Sequence, residues 1–153
     1  MKTLRLSAAT RILAGGIILL AALSSLEAKA QVETIDGLVV RLGLVSAEHA
    51  RKAPGELATH LHIPKSKAMQ HLVVSLSYVG TGERITDAKV SVQVENPLGQ
   101  IQKKDLLNAT PAGPVDYSEF FRFDMSGQYT ITVYVLRKGQ AEPTEAVFTE
   151  EIP

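Results

Sequence analysis

Seven short segments in which apolar and polar residues alternate constrain the fold of this chain more than any other feature. Successive side chains of a strand point to opposite faces of a sheet, so this alternation predicts strands with one buried face. In 88–95, alanine and valine alternate with lysine, serine, glutamine and glutamate without a break. The predicted strands are 38–45, 71–79, 88–95, 100–107, 115–123, 128–137 and 144–150.

Turn signals rich in glycine and proline separate most of these segments. Gly80-Thr81-Gly82 and Asn96-Pro97-Leu98-Gly99 are examples, and each directly follows the end of a predicted strand. Short strands at this spacing are typical of an antiparallel β-sandwich. We therefore predict a single all-β, immunoglobulin-like sandwich of about seven strands, preceded by an exposed lead-in over 31–36.

A tyrosine near the end of the chain supports the same fold. Gly127-Gln128-Tyr129 follows Asp124 and opens the sixth predicted strand, as in the tyrosine corner of immunoglobulin-like domains. In that corner the phenol hydroxyl hydrogen-bonds the backbone across the preceding turn. The alternative is an ordinary core tyrosine after a glycine turn, and the two alternatives predict nearly the same fold.

The first 30 residues have the features of a cleaved signal peptide. Lys2, Arg5 and Arg11 precede or open an uncharged apolar run over 12–23, and Ala28-Lys29-Ala30 forms an A-x-A cleavage signal. The run is shorter than the roughly 20 residues of a membrane span, although an uncleaved anchor is the alternative. We expect a mature domain over 31–153 in a bacterial periplasm, with no membrane span after cleavage.

Composition limits the chemistry of the mature chain. The chain has no cysteine, which excludes disulfides and thiolate ligands. Removing the leader takes away four of the 16 basic and one of the 16 acidic residues, which leaves a net charge of −3. An acidic chain is a poor partner for nucleic acid or for an anionic membrane.

The segment 49–71, inserted between the first two predicted strands, contains all four histidines. It includes two pairs spaced two residues apart, His60 with His62 and Met69 with His71. In an extended backbone such pairs point to one side, about 6–7 Å apart. Imidazole binds copper, zinc and nickel, and a thioether favours Cu(I). We predict a copper site with His60, His62, Met69 and His71 as ligands, and with His49 and Met125 as auxiliary ligands.

Strand connectivity links Met125 to this segment. In an up-and-down order, the connections after the first, third and fifth predicted strands fall at the same end of the sandwich. Asp124 and Met125 lie in the third of these connections. A helical turn with Ser46 as its N-cap is expected over 46–51, where the insertion begins.

The residues 81–90 (TGERITDAKV) are similar to a hairpin of many bacterial immunoglobulin-like domains. Together with Gly127-Gln128-Tyr129 and Val147-Phe148, they resemble the periplasmic YtkA-like and CopC-like group. The resemblance implies an immunoglobulin-like fold, and members of its CopC branch bind copper through histidine, methionine and carboxylate ligands. The ligand motif of that branch is not matched residue by residue, since Gln31 stands where an N-terminal histidine is expected.

Two other classes of function are weighed against metal binding. The first is a metal-free accessory module that binds an envelope protein through 49–71, or through an edge strand at 100–107 or 144–150. The second is an enzyme, but the sequence has no G-x-S-x-G, no H-E-x-x-H and no phosphate-binding glycine loop. We therefore expect a non-enzymatic protein.

Overall fold

The structure is a computed structural model that describes residues 30–52, 63–108 and 116–153. In this part of the chain, nine strands and one short helix follow one another. They are β1 (Gln31–Ile35), β2 (Leu38–Ser46), α1 (Ala47–Lys52), β3 (Met69–Tyr78), β4 (Lys89–Glu95), β5 (Ile101–Asp105), β6 (Leu107–Asn108), β7 (Tyr117–Arg122), β8 (Gly127–Leu136) and β9 (Thr144–Ile152).

Two antiparallel sheets face each other across one apolar core. The first sheet has the order β1-β2-β3-β7-β6, and the second has the order β5-β4-β8-β9. The inward residues of the alternating segments, among them Leu42, Leu72, Val92 and Ile131, are almost fully buried between the sheets. The predicted all-β sandwich is confirmed.

The expected lead-in over 31–36 is wrong, because Gln31–Ile35 forms an edge strand paired with β2. Asp36 and Gly37 make the connection with positive φ angles of 48° and 77°. Two residues in this conformation match the twist of a tight hairpin, and Asp-Gly is a preferred sequence for it. The side chains of β1 are mostly exposed, so the strand lacks the alternation that revealed the others.

The predicted strand 100–107 is divided between the two sheets. β5 pairs with β4 in the second sheet, whereas β6 pairs with β7 in the first. Between them Leu106 is 7% exposed, and its N–H donates to the carbonyl of Val90 at 2.8 Å. The chain therefore changes sheets at the one residue that turns into the core.

Side chains of β5 close one open side of the sandwich. The amide of Gln102 donates to the carbonyl of Arg122 at 2.8 Å and accepts from its N–H at 3.0 Å. Lys104 donates to the carbonyl of Phe120 at 2.5 Å. These bonds satisfy the edge of β7 where β6 no longer pairs with it, which protects an edge that would otherwise attract another strand.

The opposite side is closed by β1 and β9. Gln31 donates to the carboxylate of Glu150 at 2.6 Å, and Thr144 donates to that of Asp36 at 3.4 Å. No helix in the described part of the chain has the length and apolarity of a membrane span. The predicted signal peptide, apart from Ala30, lies outside the described residues.

Candidate metal centre

His71 lies near the start of β3, in the middle of the five-stranded sheet. Its cross-strand partners are Val45 on β2 and Phe120 on β7. Because Leu72 on the same strand points into the core, His71 faces the outer side of the sheet. Even so, the residue is only 5% exposed.

Helix α1 packs against the sheet near His71. Ser46 ends β2 and caps the helix, and its hydroxyl accepts from the N–H of His49 at 3.2 Å. Ala47 and Ala50 lie three residues apart on one helix face and are both buried, and α1 contacts β2 and β3. The expected helical turn with Ser46 as its N-cap is confirmed.

The imidazole of His71 has one nitrogen with no hydrogen-bonding partner. Its Nε2 atom is buried and is the only such side-chain atom in the described part of the chain. Burial lowers the pKa of His71, and the nearby carboxylate of Glu119 partly offsets that effect. The ring is therefore neutral near pH 7, which is the form of histidine that binds metal ions.

Met69 lies two residues before His71 on the same strand and the same outer face. It is half-buried and pairs with Arg122 on β7. The spacing along the strand places the two side chains about 6–7 Å apart at their bases. A thioether and an imidazole at this separation can both reach one ion, and the role of the two residues as ligands stays a prediction.

His49 is exposed on α1, at the same end of the sheet as Met69 and His71. Its Nδ1 atom is 2.9 Å from the hydroxyl oxygen of Ser46. This hydrogen bond orients the ring, and Nε2 is then the atom through which His49 would act as an auxiliary ligand.

Met125 lies at the same end of the sandwich but on the inner side of the five-stranded sheet. It packs against the core between the sheets, and its sulfur accepts from the side-chain amide of Asn96 at 3.4 Å. Its N–H donates to the phenol oxygen of Tyr129 at 3.0 Å, so the tyrosine corner is present. The structure therefore brings Met125 to the predicted end but not to the face of His71.

His60 and His62 lie outside the described residues, so their role as ligands stays a prediction. Within 30–52, 63–108 and 116–153, no group of three or more histidine, cysteine, aspartate or glutamate residues is arranged to hold a metal ion. His71 and Met69 are thus the two predicted donors that the described chain brings onto one face.

Phe120 was not identified from the sequence as part of this site. Its ring centroid lies 4.8 Å from that of His71. The sequence of the predicted strand 115–123 contained the information needed to place Phe120. Tyr117 and Phe121 share the inner face, so Phe120 must point outward. An outward-facing phenylalanine indicates that something packs on that side.

Solved structures of bacterial proteins are similar to this chain. A DUF4426 family protein from Pseudomonas aeruginosa PAO1 has a TM-score of 0.66 at 18% identity, over 80% of this chain and 94% of that chain. FetP of uropathogenic E. coli strain F11, expressed in the periplasm, has a TM-score of 0.60 at 14% identity, over 80% and 92%. The copper-reconstituted P19 protein of Campylobacter jejuni has a TM-score of 0.58 at 12% identity, over 79% and 92%.

No protein-family model and no curated protein sequence matches the chain. At these identities the structural likeness shows the fold alone. The resemblance to the immunoglobulin-like sandwiches of the YtkA-like and CopC-like group is confirmed at that level.

Proposed function

We propose that this chain is a non-enzymatic, metal-binding protein of the bacterial periplasm, and that copper is the metal it holds or delivers. The observation that supports this function best is the buried, unpartnered Nε2 atom of His71, with the Met69 thioether on the same face of β3. A buried polar atom without a partner is costly, and a metal ion bound there would supply one.

The donor atoms favour copper over harder metals. An imidazole and a thioether form a soft donor set that suits Cu(I), and calcium or magnesium would require oxygen ligands instead. When bound, the ion would receive electron pairs from His71 and Met69, and these residues would set its position on the outer face. A copper-bound variant of FetP and the copper-reconstituted P19 protein share the fold, which is consistent with this choice.

The remaining ligands are assigned by chain connectivity. The segment 53–62 follows α1, which packs on β3, and the chain re-enters the described structure at Ile63, shortly before β3 begins. His60 and His62 belong to this segment and are proposed as the further ligands, with His49 as an auxiliary. Met125 would join only from the inner side of the sheet and is the weakest member of the set.

The alternative function, a metal-free module that binds an envelope protein through an edge strand, has less support. β5 is tied to β7 through Gln102 and Lys104, and β9 lies alongside β1. A strand added at either place would have to displace these contacts.

Titration of the mature chain, beginning at Gln31, with Cu(I) in competition with a chromophoric chelator tests the proposal. We expect one tight site, and a loss of affinity of at least about tenfold in His71→Gln and in Met69→Leu, since even outer-shell partners contribute that much. Met125→Leu serves as the thioether control and should bind almost as the natural chain does. Binding no tighter than micromolar by the natural chain would rule out this function.

A further inference from the structure

The outward face of the four-stranded sheet holds a shallow cavity that the proposed metal site does not involve. Its volume is about 290 Å³, which is near the lower end of small-molecule pockets. Ser91 lies at its centre, with Asp105 and Tyr134 as direct cross-strand neighbours on either side. Directly opposite residues on antiparallel strands have Cβ atoms about 4.5–5.5 Å apart. Asp105, Ser91 and Tyr134 therefore form a row across the cavity.

Charges of both signs face this cavity without neutralising each other. Lys103 lies two residues from Asp105 on β5, yet its ammonium is placed over the ring of Tyr134, 4.7 Å from the centroid. Lys89 lines the same cavity from β4. Within the described part of the chain, none of the ion pairs involves Lys89, Lys103 or Asp105. Two cations and one anion are thus available to a ligand.

The remaining lining is apolar. Leu136 and Pro143 are half-buried, and Leu136 is the cross-strand partner of Lys89, at the end of the cavity away from Lys103. The cation over Tyr134 is held by the ring face, which orients the ammonium without consuming its charge. An apolar wall beside fixed charges of both signs favours a ligand that carries an anion, a cation and an apolar group.

We propose that this cavity binds a small zwitterion with an apolar side chain, in the size range of an amino acid to a dipeptide. The ligand carboxylate lies over Ser91, between the ammonium groups of Lys89 and Lys103. Its ammonium group pairs with Asp105, and its side chain packs against Leu136 and Pro143. Since the cavity is shallow and its charges are exposed, the affinity is in the millimolar range and falls as salt is added.

Three ligands with the same leucine side chain test the proposal in an NMR titration of the mature chain. L-Leucine carries both charges, N-acetyl-L-leucine lacks the cation, and L-leucinamide lacks the anion. We expect saturable shifts of the Ser91, Lys103 and Tyr134 amide signals with leucine, and binding about two- to fivefold weaker for each analogue, the size of an exposed ion pair.

Variants assign each ligand charge to its partner. Asp105→Asn should weaken leucine about two- to fivefold but should not weaken N-acetyl-leucine, which has no cation to pair and whose carboxylate Asp105 repels. Lys103→Gln should weaken leucine and should not weaken leucinamide, which has no carboxylate to pair and whose ammonium Lys103 repels. Lys65→Gln and Glu33→Gln remove exposed charges elsewhere and should change neither affinity.

Two results would overturn the proposal. One is the absence of a saturable shift with leucine anywhere in the millimolar range. The other is equal binding of all three ligands, which would show that the charges take no part. Both results are independent of copper, because the cavity lies on the sheet opposite to His71 and Met69.

Discussion

The imidazole of His71 packs against the phenyl ring of Phe120, with the ring centroids 4.8 Å apart and the ring planes inclined by 32°. The two residues are direct cross-strand partners on β3 and β7, so sheet register holds the rings together. On the other side of His71, β2 ends and the chain turns into α1. The histidine is thus enclosed by groups that do not stabilise a positive charge, with Glu119 as the exception.

We expect the metal-free protein to lose stability as the pH falls below about 6.5. Burial lowers the pKa of His71 in the folded chain, so the unfolded chain binds the proton more readily and acid favours unfolding. The slope has an upper limit of about 1.4 kcal/mol per pH unit for one proton.

Urea denaturation at about pH 7 and about pH 5, in the presence of a metal chelator, measures this dependence. His71→Phe should flatten the profile, and His49→Gln, which changes an exposed histidine, should leave it as in the natural chain. A profile in His71→Phe as steep as in the natural chain would show that His71 is not the responsible group.

Copper should stabilise the fold in proportion to its affinity. At a free Cu(I) concentration of a hundred times Kd, the free energy of unfolding should rise by about 2.7 kcal/mol, because the ion binds the folded chain. Met69→Leu keeps the volume of the side chain but removes the sulfur, so a tenfold loss of affinity should reduce the gain to about 1.4 kcal/mol at the same copper concentration. Without copper the same variant should lie within about 1.5 kcal/mol of the natural chain, and a chelator should reverse the gain.

Removing the hydroxyl of Tyr129 should destabilise the corner that holds Met125. In Tyr129→Phe the N–H of Met125 loses its acceptor, which should cost about 1–2 kcal/mol in unfolding free energy. Tyr134→Phe is the matched control, because Tyr134 is on an outward face and the ring that Lys103 covers is kept. A change of less than about 0.5 kcal/mol is expected there.

Alanine should be harmful at Gly127 and harmless at Gly43. Gly127 has a φ of +119°, and a Cβ atom there would lie 3.0 Å from Cγ of Pro97. We expect Gly127→Ala to cost about 1–3 kcal/mol. A Cβ at Gly43 would meet nothing within 4 Å, so Gly43→Ala should be neutral or stabilise by up to about 1 kcal/mol. Thermal or urea unfolding distinguishes the two.

Gln102→Leu should both weaken the fold and promote self-association. The change removes the donor and the acceptor that satisfy the backbone of Arg122, for a loss of about 1–2 kcal/mol. It also leaves the edge of β7 open to another strand, which sedimentation velocity would detect as larger species. Gln93→Leu adds a similar apolar side chain to β4 without removing such bonds, and it should remain monodisperse.

Alternation predicted most strands because their inner faces are buried. Val90, Val92 and Val94 mark β4 unambiguously, since the core requires an apolar residue at every second position. β1 and β6 have no such requirement. β1 depends on the hairpin at Asp36 and Gly37, and β6 on the point where Leu106 enters the core, so both are consequences of tertiary contacts.

The candidate site was predicted in part for a similar reason. The spacing of Met69 and His71 in a strand required them to share a face, and the order of turns brought Met125 to the same end of the sandwich. Which side Met125 faces was not predictable, because side-chain direction in a turn follows no period. The packing of Phe120 on His71 depends on the register between β3 and β7, which neither strand encodes alone.

Gln102 and Lys104 hydrogen-bond the backbone edge of β7 in place of a neighbouring strand. These bonds affect how well the domain tolerates insertions next to β7. β7 is held by β3 on one edge and by Gln102 and Lys104 on much of the other, so its position depends little on the two-residue β6. Extra residues inserted directly after Asn108 would add mainly loop-closure entropy, about 0.6 kcal/mol for each doubling of loop length. An insertion directly after Asn108 should therefore leave β7 in place, because its contacts with β3, Gln102 and Lys104 do not depend on β6.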